Sequence, residues 1–155
     1  MKAFMTFMPI LIALVTPRLV QGAEGPDDIF GHLKPAEGLT VSVWAHSPLF
    51  FNPTGMDVDE RGRIWVSEAL NYRGFNNQKR KPRWHEKGDR IVIVEDTDGD
   101  GKADTSKVFV QDKDLTAPLG VAVIGNKVVV SSSPHLLVYV KNDKDEVVRK
   151  EKFLS

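Results

Sequence analysis

A chain of 155 residues in which 41% of side chains are hydrophobic has the size and apolar content of one ordinary domain, and is not a disordered tail. Lys plus Arg and Asp plus Glu balance at 21 each, so no strong field points toward nucleic acid or an anionic membrane. There is no cysteine, which excludes a disulfide framework, thiolate metal sites and covalently attached c-type haem within these residues.

The chain opens on Met1-Lys2 and an apolar run from Phe4 to Val15 broken only by Thr6 and Pro9. That run is short for a bilayer span, which needs ~20 residues. It reads as a signal peptide over residues 1–22 with cleavage after Gly22, and the alternative is a retained N-terminal helix. Cleavage removes Lys2 and Arg18, leaving 19 cationic against 21 anionic side chains and a net charge near −2. The expected location is therefore secreted, periplasmic or cell-envelope. Residues 23–37 are rich in Gly, Pro and Asp and read as a linker with a turn of helix at Asp27–His32.

From residue 38 onward every signal is β. Leu39–Trp44 alternates Leu39, Val41 and Val43 on one face. Ile64–Ser67, Ile91–Val94, Val108–Val110, Gly120–Ile124, Lys127–Ser131, Leu136–Val140 and Val147–Leu154 follow as short strands. An internal repeat organises them. Pro53-Thr-Gly55-Met-Asp-Val58 returns as Pro118-Leu-Gly120-Val-Ala-Val123. Ile64-Trp-Val-Ser67 returns as Val128-Val-Val-Ser131 at a spacing shorter by one, the difference lying in the intervening turn. Arg90–Val94 answers Leu136–Val140, with Val94 matched to Val140, and Lys107-Val-Phe109 answers Glu151-Lys-Phe153. Each unit is then a four-stranded meander, the plan of a propeller blade, rather than part of a β-sandwich. The expected core is Val58, Ile64, Val92, Val94, Val121, Val123, Val129 and Val138.

The fold expected for residues 38–155 is thus all-β, a partial β-propeller of two four-stranded blades with Leu39–Trp44 as a closing outer strand. A closed propeller uses at least about four blades, so the expected partners are remaining blades or downstream domains of a longer protein. Two blades alone leave edges and apolar faces exposed.

Asp96-Thr-Asp98-Gly-Asp100-Gly-Lys-Ala-Asp104 is the sharpest motif. Ca²⁺ takes hard oxygen ligands, and carboxylates at alternate positions of a tight loop can converge on one ion. Asp96, Asp98, Asp100 and Asp104 are the candidate carboxylates and Lys102 offers a carbonyl. Lys107 stands where an EF-hand needs its bidentate Glu, so the spacing resembles the inter-strand calcium loops of integrin-type propellers. The alternative is an acidic turn without metal. The second unit has Asn142-Asp143-Lys144-Asp145 at the corresponding place, too degraded to hold an ion.

The stretch from Ser67 to Val94 is far longer than its counterpart from Ser131 to Val140, so the first unit carries an insertion between its second and third strands. In a meander this insertion lies at the end opposite the acidic turn. Glu68, Asn71, Tyr72, Arg73, Trp84 and His85 are the candidate ligand-binding residues there, of the types a polar, carbohydrate-like ligand would use. A solvated basic loop is the competing reading, given Lys79, Arg80, Lys81, Arg83 and Lys87. Glu68 could serve as a base or ligand, or form a salt bridge with Arg73. His32, His46, His85 and His135 are scattered without ligand spacing, and no catalytic set emerges.

Gly62-Arg-Ile-Trp-Val-Ser-Glu-Ala-Leu-Asn-Tyr-Arg73, Gly88-Asp-Arg-Ile91 and Glu95-Asp-Thr-Asp-Gly-Asp-Gly-Lys-Ala-Asp104 together resemble the propeller domain of large secreted planctomycete-type proteins described as membrane-bound dehydrogenases or haem-binding proteins. The resemblance covers roughly residues 38–155. It implies a propeller akin to sorbosone and quinoprotein (PQQ) sugar dehydrogenases, often followed by helical repeats and a Cys-x-x-Cys-His cytochrome domain. This chain has two blades and no cysteine, so it holds no haem itself. Three functional readings follow: a calcium-stabilised exported propeller segment with a carbohydrate-like ligand face, the N-terminal part of a quinone-dependent sugar or aldehyde dehydrogenase, and a non-enzymatic adhesion or scaffold module.

Overall fold

The computed structural model describes residues 33–72 and 86–154. The segment expected as a signal peptide and most of the expected linker lie outside the described residues. Among the described residues, eight strands form two four-stranded antiparallel sheets in chain order. The first is β1 (Pro53–Val58), β2 (Ile64–Glu68), β3 (Asp89–Glu95) and β4 (Thr105–Asp112). The second is β5 (Gly120–Ile124), β6 (Lys127–Ser132), β7 (His135–Lys141) and β8 (Val147–Leu154). Buried residues concentrate in the two middle strands of each sheet, which have a neighbouring strand on either side.

Register makes the two sheets equivalent residue by residue. Val58 pairs Ile64, and Val123 pairs Val128; Gly55 pairs Ser67, and Gly120 pairs Ser131. The third strands depart from the sequence expectation by one position. Ile64 pairs Val94, whereas Val128 pairs Tyr139. Val94 therefore corresponds to Tyr139, not Val140, and the insertion between second and third strands is longer by one than the match of Val94 to Val140 predicts. Such a slip exchanges the two faces of a strand, and an unbroken run such as Leu136–Val140 carries no alternation to fix it.

The sheets pack face to face. One face of the first sheet contributes Trp65, Ile91, Ile93 and Phe109, and the facing side of the second contributes Val128, Val130, Leu137 and Tyr139, with Leu115 in the same cluster. Phe109 lies edge-on to both Trp65 and Tyr139, with ring centroids 4.9 and 6.3 Å apart. At the inner edge β1 meets β5 closely: the Thr54 hydroxyl donates to the Pro118 carbonyl at 2.6 Å and the Asp57 carboxylate accepts from the Val123 N–H at 2.6 Å. A Cβ on Gly55 would stand 2.9 Å from the Gly120 Cα, so this approach requires glycine.

The far face of the first sheet carries Val66, Val92 and Val94, covered in part by Trp44, Ala45, Leu49 and Phe50. Leu39–Trp44, expected as a strand, forms no ladder and runs irregularly, with Trp44 reaching this face. Val58, expected in the core, is exposed. Its equivalent Val123 packs against the inter-sheet core; the difference is that no described sheet covers this face of the first one.

Candidate metal centre and the opposite loop face

In a meander the β1–β2 and β3–β4 turns share one end of the sheet and the β2–β3 connection lies at the other. The acidic motif is the β3–β4 turn. Its shape comes from its own carboxylates capping backbone N–H groups, a habit of Asp in turns. Asp96 accepts from Gly99 at 2.7 Å and Gly101 at 2.9 Å, Asp98 from Asp100, and Asp100 from Lys102 at 2.8 Å. Gly99 and Gly101 take φ of 76° and 87°, which glycine adopts without strain. Asp104 accepts from both the N–H and the hydroxyl of Thr97, closing the loop.

Carboxylate oxygens of Asp96, Asp98 and Asp104 lie within 4.8 Å of one another. Each of the three carboxylates has at least one oxygen with a lone pair left, so the trio could hold a hard divalent ion. Asp100 does not belong to this trio. Desolvation opposes ionisation of Asp96, but the N–H groups of Gly101, Gly99 and Asp100 together outweigh it and hold the carboxyl below the usual range.

A second polar group at this end had no motif to announce it. Arg63, just before β2, reaches the β7–β8 turn of the second sheet. Its guanidinium donates to Asp145 at 2.7 and 3.3 Å and to Asp59 at 2.9 Å. Lys141 also pairs Asp145, at 2.9 Å, and the Trp65 indole N–H donates to Asp59 at 2.9 Å. Burial opposes ionisation of Asp145, but Arg63 and Lys141 prevail and lower its pKa to about 2. Asp59 is likewise lowered, its desolvation outweighed by Trp65 and Arg63. Asp145 sits at φ 57°, a left-handed position within the turn from which its carboxylate crosses the sheet boundary. Only the degraded second acidic turn, Asn142–Asp145, hinted at this role.

At the opposite end, Glu68 and Asn71 are buried and Tyr72 is exposed. Glu68 accepts from the Phe51 N–H at 2.8 Å and pairs with Arg90 at 2.5 Å. Its repeat equivalent, Ser132, accepts from the Thr116 N–H at 3.0 Å, the same backbone position one unit on. Both residues therefore pin the segment entering the first strand of a sheet. Asp89, fully buried, does related work: its two oxygens accept from the Asn71 and Ala117 N–H groups. Arg73, Trp84 and His85 lie outside the described residues. His135 is half-buried, its Nδ1 without a hydrogen-bond partner, and His46 is exposed and bonded to the Ser47 carbonyl.

No curated protein and no solved structure matches the chain. Residues 25–155 match the model of a family described as a domain of unknown function, DUF7133, spanning both sheets and both ends described above, and the chain belongs to that family.

Proposed function

We propose that this chain forms two neighbouring blades of an exported β-propeller, in which the β3–β4 turn of the first blade binds calcium and the opposite end presents a face for a carbohydrate-like ligand. The convergence of Asp96, Asp98 and Asp104 within 4.8 Å carries the calcium reading. Two equivalent meanders packed face to face support the blades. The ligand face rests on exposed Tyr72 together with the Arg73, Trp84 and His85 of the insertion, since Glu68 is a buried brace and Asn71 is buried with its backbone N–H held by Asp89. Bound calcium would tie β3 to β4 at their shared turn, and its role is structural.

Thermal unfolding of the chain with added calcium or with chelator tests this. A loop lacking a bidentate Glu belongs near the weak end, with Kd ~10⁻⁴–10⁻³ M. At 10 mM calcium the stabilisation is then roughly 1.4–2.7 kcal/mol. Asp98→Ala and Asp104→Ala should each abolish the shift, while Asp143→Ala should keep it. No calcium-dependent shift in the parent would make the motif an acidic turn only.

A further inference from the structure

Asp is followed by Gly at two places in the whole chain, Asp98-Gly99 and Asp100-Gly101, and Asn at none. Both pairs fall in the β3–β4 turn, and all four residues are exposed. Such a pair is a reactive unit in its own right. The side-chain carboxyl carbon of Asp closes a five-membered ring with the backbone nitrogen of the next residue, and a glycine nitrogen has no Cβ beside it to hinder the approach. The chemistry needs only water, so what governs it is how firmly the glycine N–H is held.

In this turn both are held by one side chain. The Gly99 N–H donates to Asp96 Oδ1 at 2.7 Å and the Gly101 N–H donates to Asp96 Oδ2 at 2.9 Å. Asp96 belongs to neither Asp-Gly pair, yet its two oxygens engage the nitrogen of each. The Asp98 and Asp100 carboxylates are occupied one residue further on, accepting from the Asp100 N–H at 3.2 Å and the Lys102 N–H at 2.8 Å. The equivalent turn of the second sheet has a similar cap without the reactive pairs. There Asn142 accepts from Lys144 and Glu146, and Asp143 and Asp145 are followed by Lys and Glu.

We propose that Asp98-Gly99 and Asp100-Gly101 are sites of spontaneous isoaspartate formation and that Asp96 restrains both. The glycine nitrogen attacks the carboxyl carbon of the preceding Asp in its acid form. The C–N bond forms, the C–OH bond breaks, and the hydroxyl leaves as water with the amide proton. Water then opens the succinimide at either carbonyl, returning Asp or giving isoaspartate, whose backbone runs through the former side chain. Mass is unchanged and no electrons are exchanged. The imide nitrogen carries no proton, so ring closure must break the N–H bond to Asp96. Losing a charge-assisted bond of this kind slows closure by on the order of tenfold. Isoaspartate at Asp98 adds one carbon to the backbone and takes one from the side chain, withdrawing that carboxylate from its convergence with Asp96 and Asp104. At Asp100, outside the trio, it alters only the course of the turn.

Incubating the chain at 37 °C and pH 7 with chelator tests this whatever ion the turn binds. Peptide mapping with a protease that cleaves before Asp but not before isoaspartate, together with fragment spectra that separate the two, gives the rate at each position. In the chain unfolded by guanidinium, isoaspartate should accumulate at Asp98 and Asp100 and not at Asp143 or Asp145. The folded parent should be slower at both by on the order of tenfold, and Asp96→Ala should bring both to within about threefold of the unfolded chain. Asp96→Asn, which keeps one acceptor oxygen, should fall between, and it carries the comparison if circular dichroism shows Asp96→Ala unfolded. Asp104→Ala removes the bonds from the Thr97 N–H and hydroxyl but leaves both glycine bonds, and should change the rates by less than about twofold. No isoaspartate at either site in the unfolded chain, equal rates folded and unfolded, or Asp104→Ala matching the Asp96 variants would overturn the proposal. So would slower reaction in the Asp96 variants, which would make that carboxylate the base for the step rather than its restraint.

Discussion

Arg63 joins the two sheets through charge rather than apolar contact, and Arg63→Met tests that contribution: methionine keeps part of the aliphatic stem and removes the guanidinium, whose central carbon also lies 5.8 Å from the Trp65 ring centroid. The side chains of Arg63 and Asp145 are only 10% and 6% exposed, so solvent screens the pair little. The fall of Asp145 from 3.8 to about 2 corresponds to roughly 2 kcal/mol of stability. Because the folded pKa is the lower one, that stability is present in full above the unfolded value and is lost as pH falls from about 4 toward 2. In the variant Lys141 still pairs Asp145 and Trp65 still donates to Asp59, but two buried carboxylates lose their shared cation. The cost expected at pH 7 is about 3 kcal/mol, the low end for breaking a buried ion pair. For a domain of this size that lowers Tm by about 10 °C. Melts followed by circular dichroism from pH 7 to pH 2.5 should show the two proteins converging at acid pH, where the parent's carboxylates also protonate. A Tm within about 2 °C of the parent at pH 7, or a gap that persists unchanged at pH 2.5, would refute the electrostatic account.

Phe109→Ala empties the position between Trp65 and Tyr139 and should cost about 3–5 kcal/mol, whereas Phe153→Ala at the equivalent exposed site should stay within about 0.5 kcal/mol; urea unfolding of both variants measures the contrast. Gly88→Ala places a Cβ 1.7 Å from the Asp112 carbonyl oxygen at φ 98°, where β3 begins its pairing with β4, and should abolish soluble, cooperatively folding protein. Recovery of Gly88→Ala at parental yield and Tm would show that the β3–β4 edge can shift to admit a side chain.

Most of the strand order is legible because the repeat supplies it. Pro53-Thr-Gly55 and Pro118-Leu-Gly120 mark β1 and β5, and the Gly125-Asn126 turn marks the β5–β6 hairpin. What escapes the sequence are features whose cause lies outside the strand concerned. Val58 has the residue type and spacing of a core position, yet its burial depends on a neighbour that the first sheet does not have among the described residues. Leu39–Trp44 has the alternation of a strand, but no strand among the described residues pairs with it. The slip at β7 arises because Leu136–Val140 is apolar throughout, leaving only the hydrogen-bond register to decide which residues face the first sheet. Among the candidate site residues, composition draws attention to Glu68 and Asn71, but side-chain type does not distinguish a ligand from a brace; burial and backbone partners do.

The two β3–β4-type turns illustrate how one scaffold position diverges in use. In the second sheet the turn folds on Asn142, whose side-chain oxygen accepts from the Lys144 and Glu146 N–H groups, and this leaves the Asp145 carboxylate to enter the first sheet and meet Arg63 and Lys141. In the first sheet the turn spends Asp96 in the role of Asn142, capping Gly99 and Gly101, and its longer course brings Asp98 and Asp104 back beside it. One turn is therefore neutralised by protein cations from the adjoining strands, and its carboxylate contributes to the packing of sheet on sheet. The other gathers its carboxylates on an exposed tip, where like charges within 4.8 Å repel unless a cation offsets them. The amide cap in the second turn carries no charge and the carboxylate cap in the first does. The charge of the cap, the length of the turn and the protein cations within reach together explain why the metal reading attaches to the first turn and the clasp to the second.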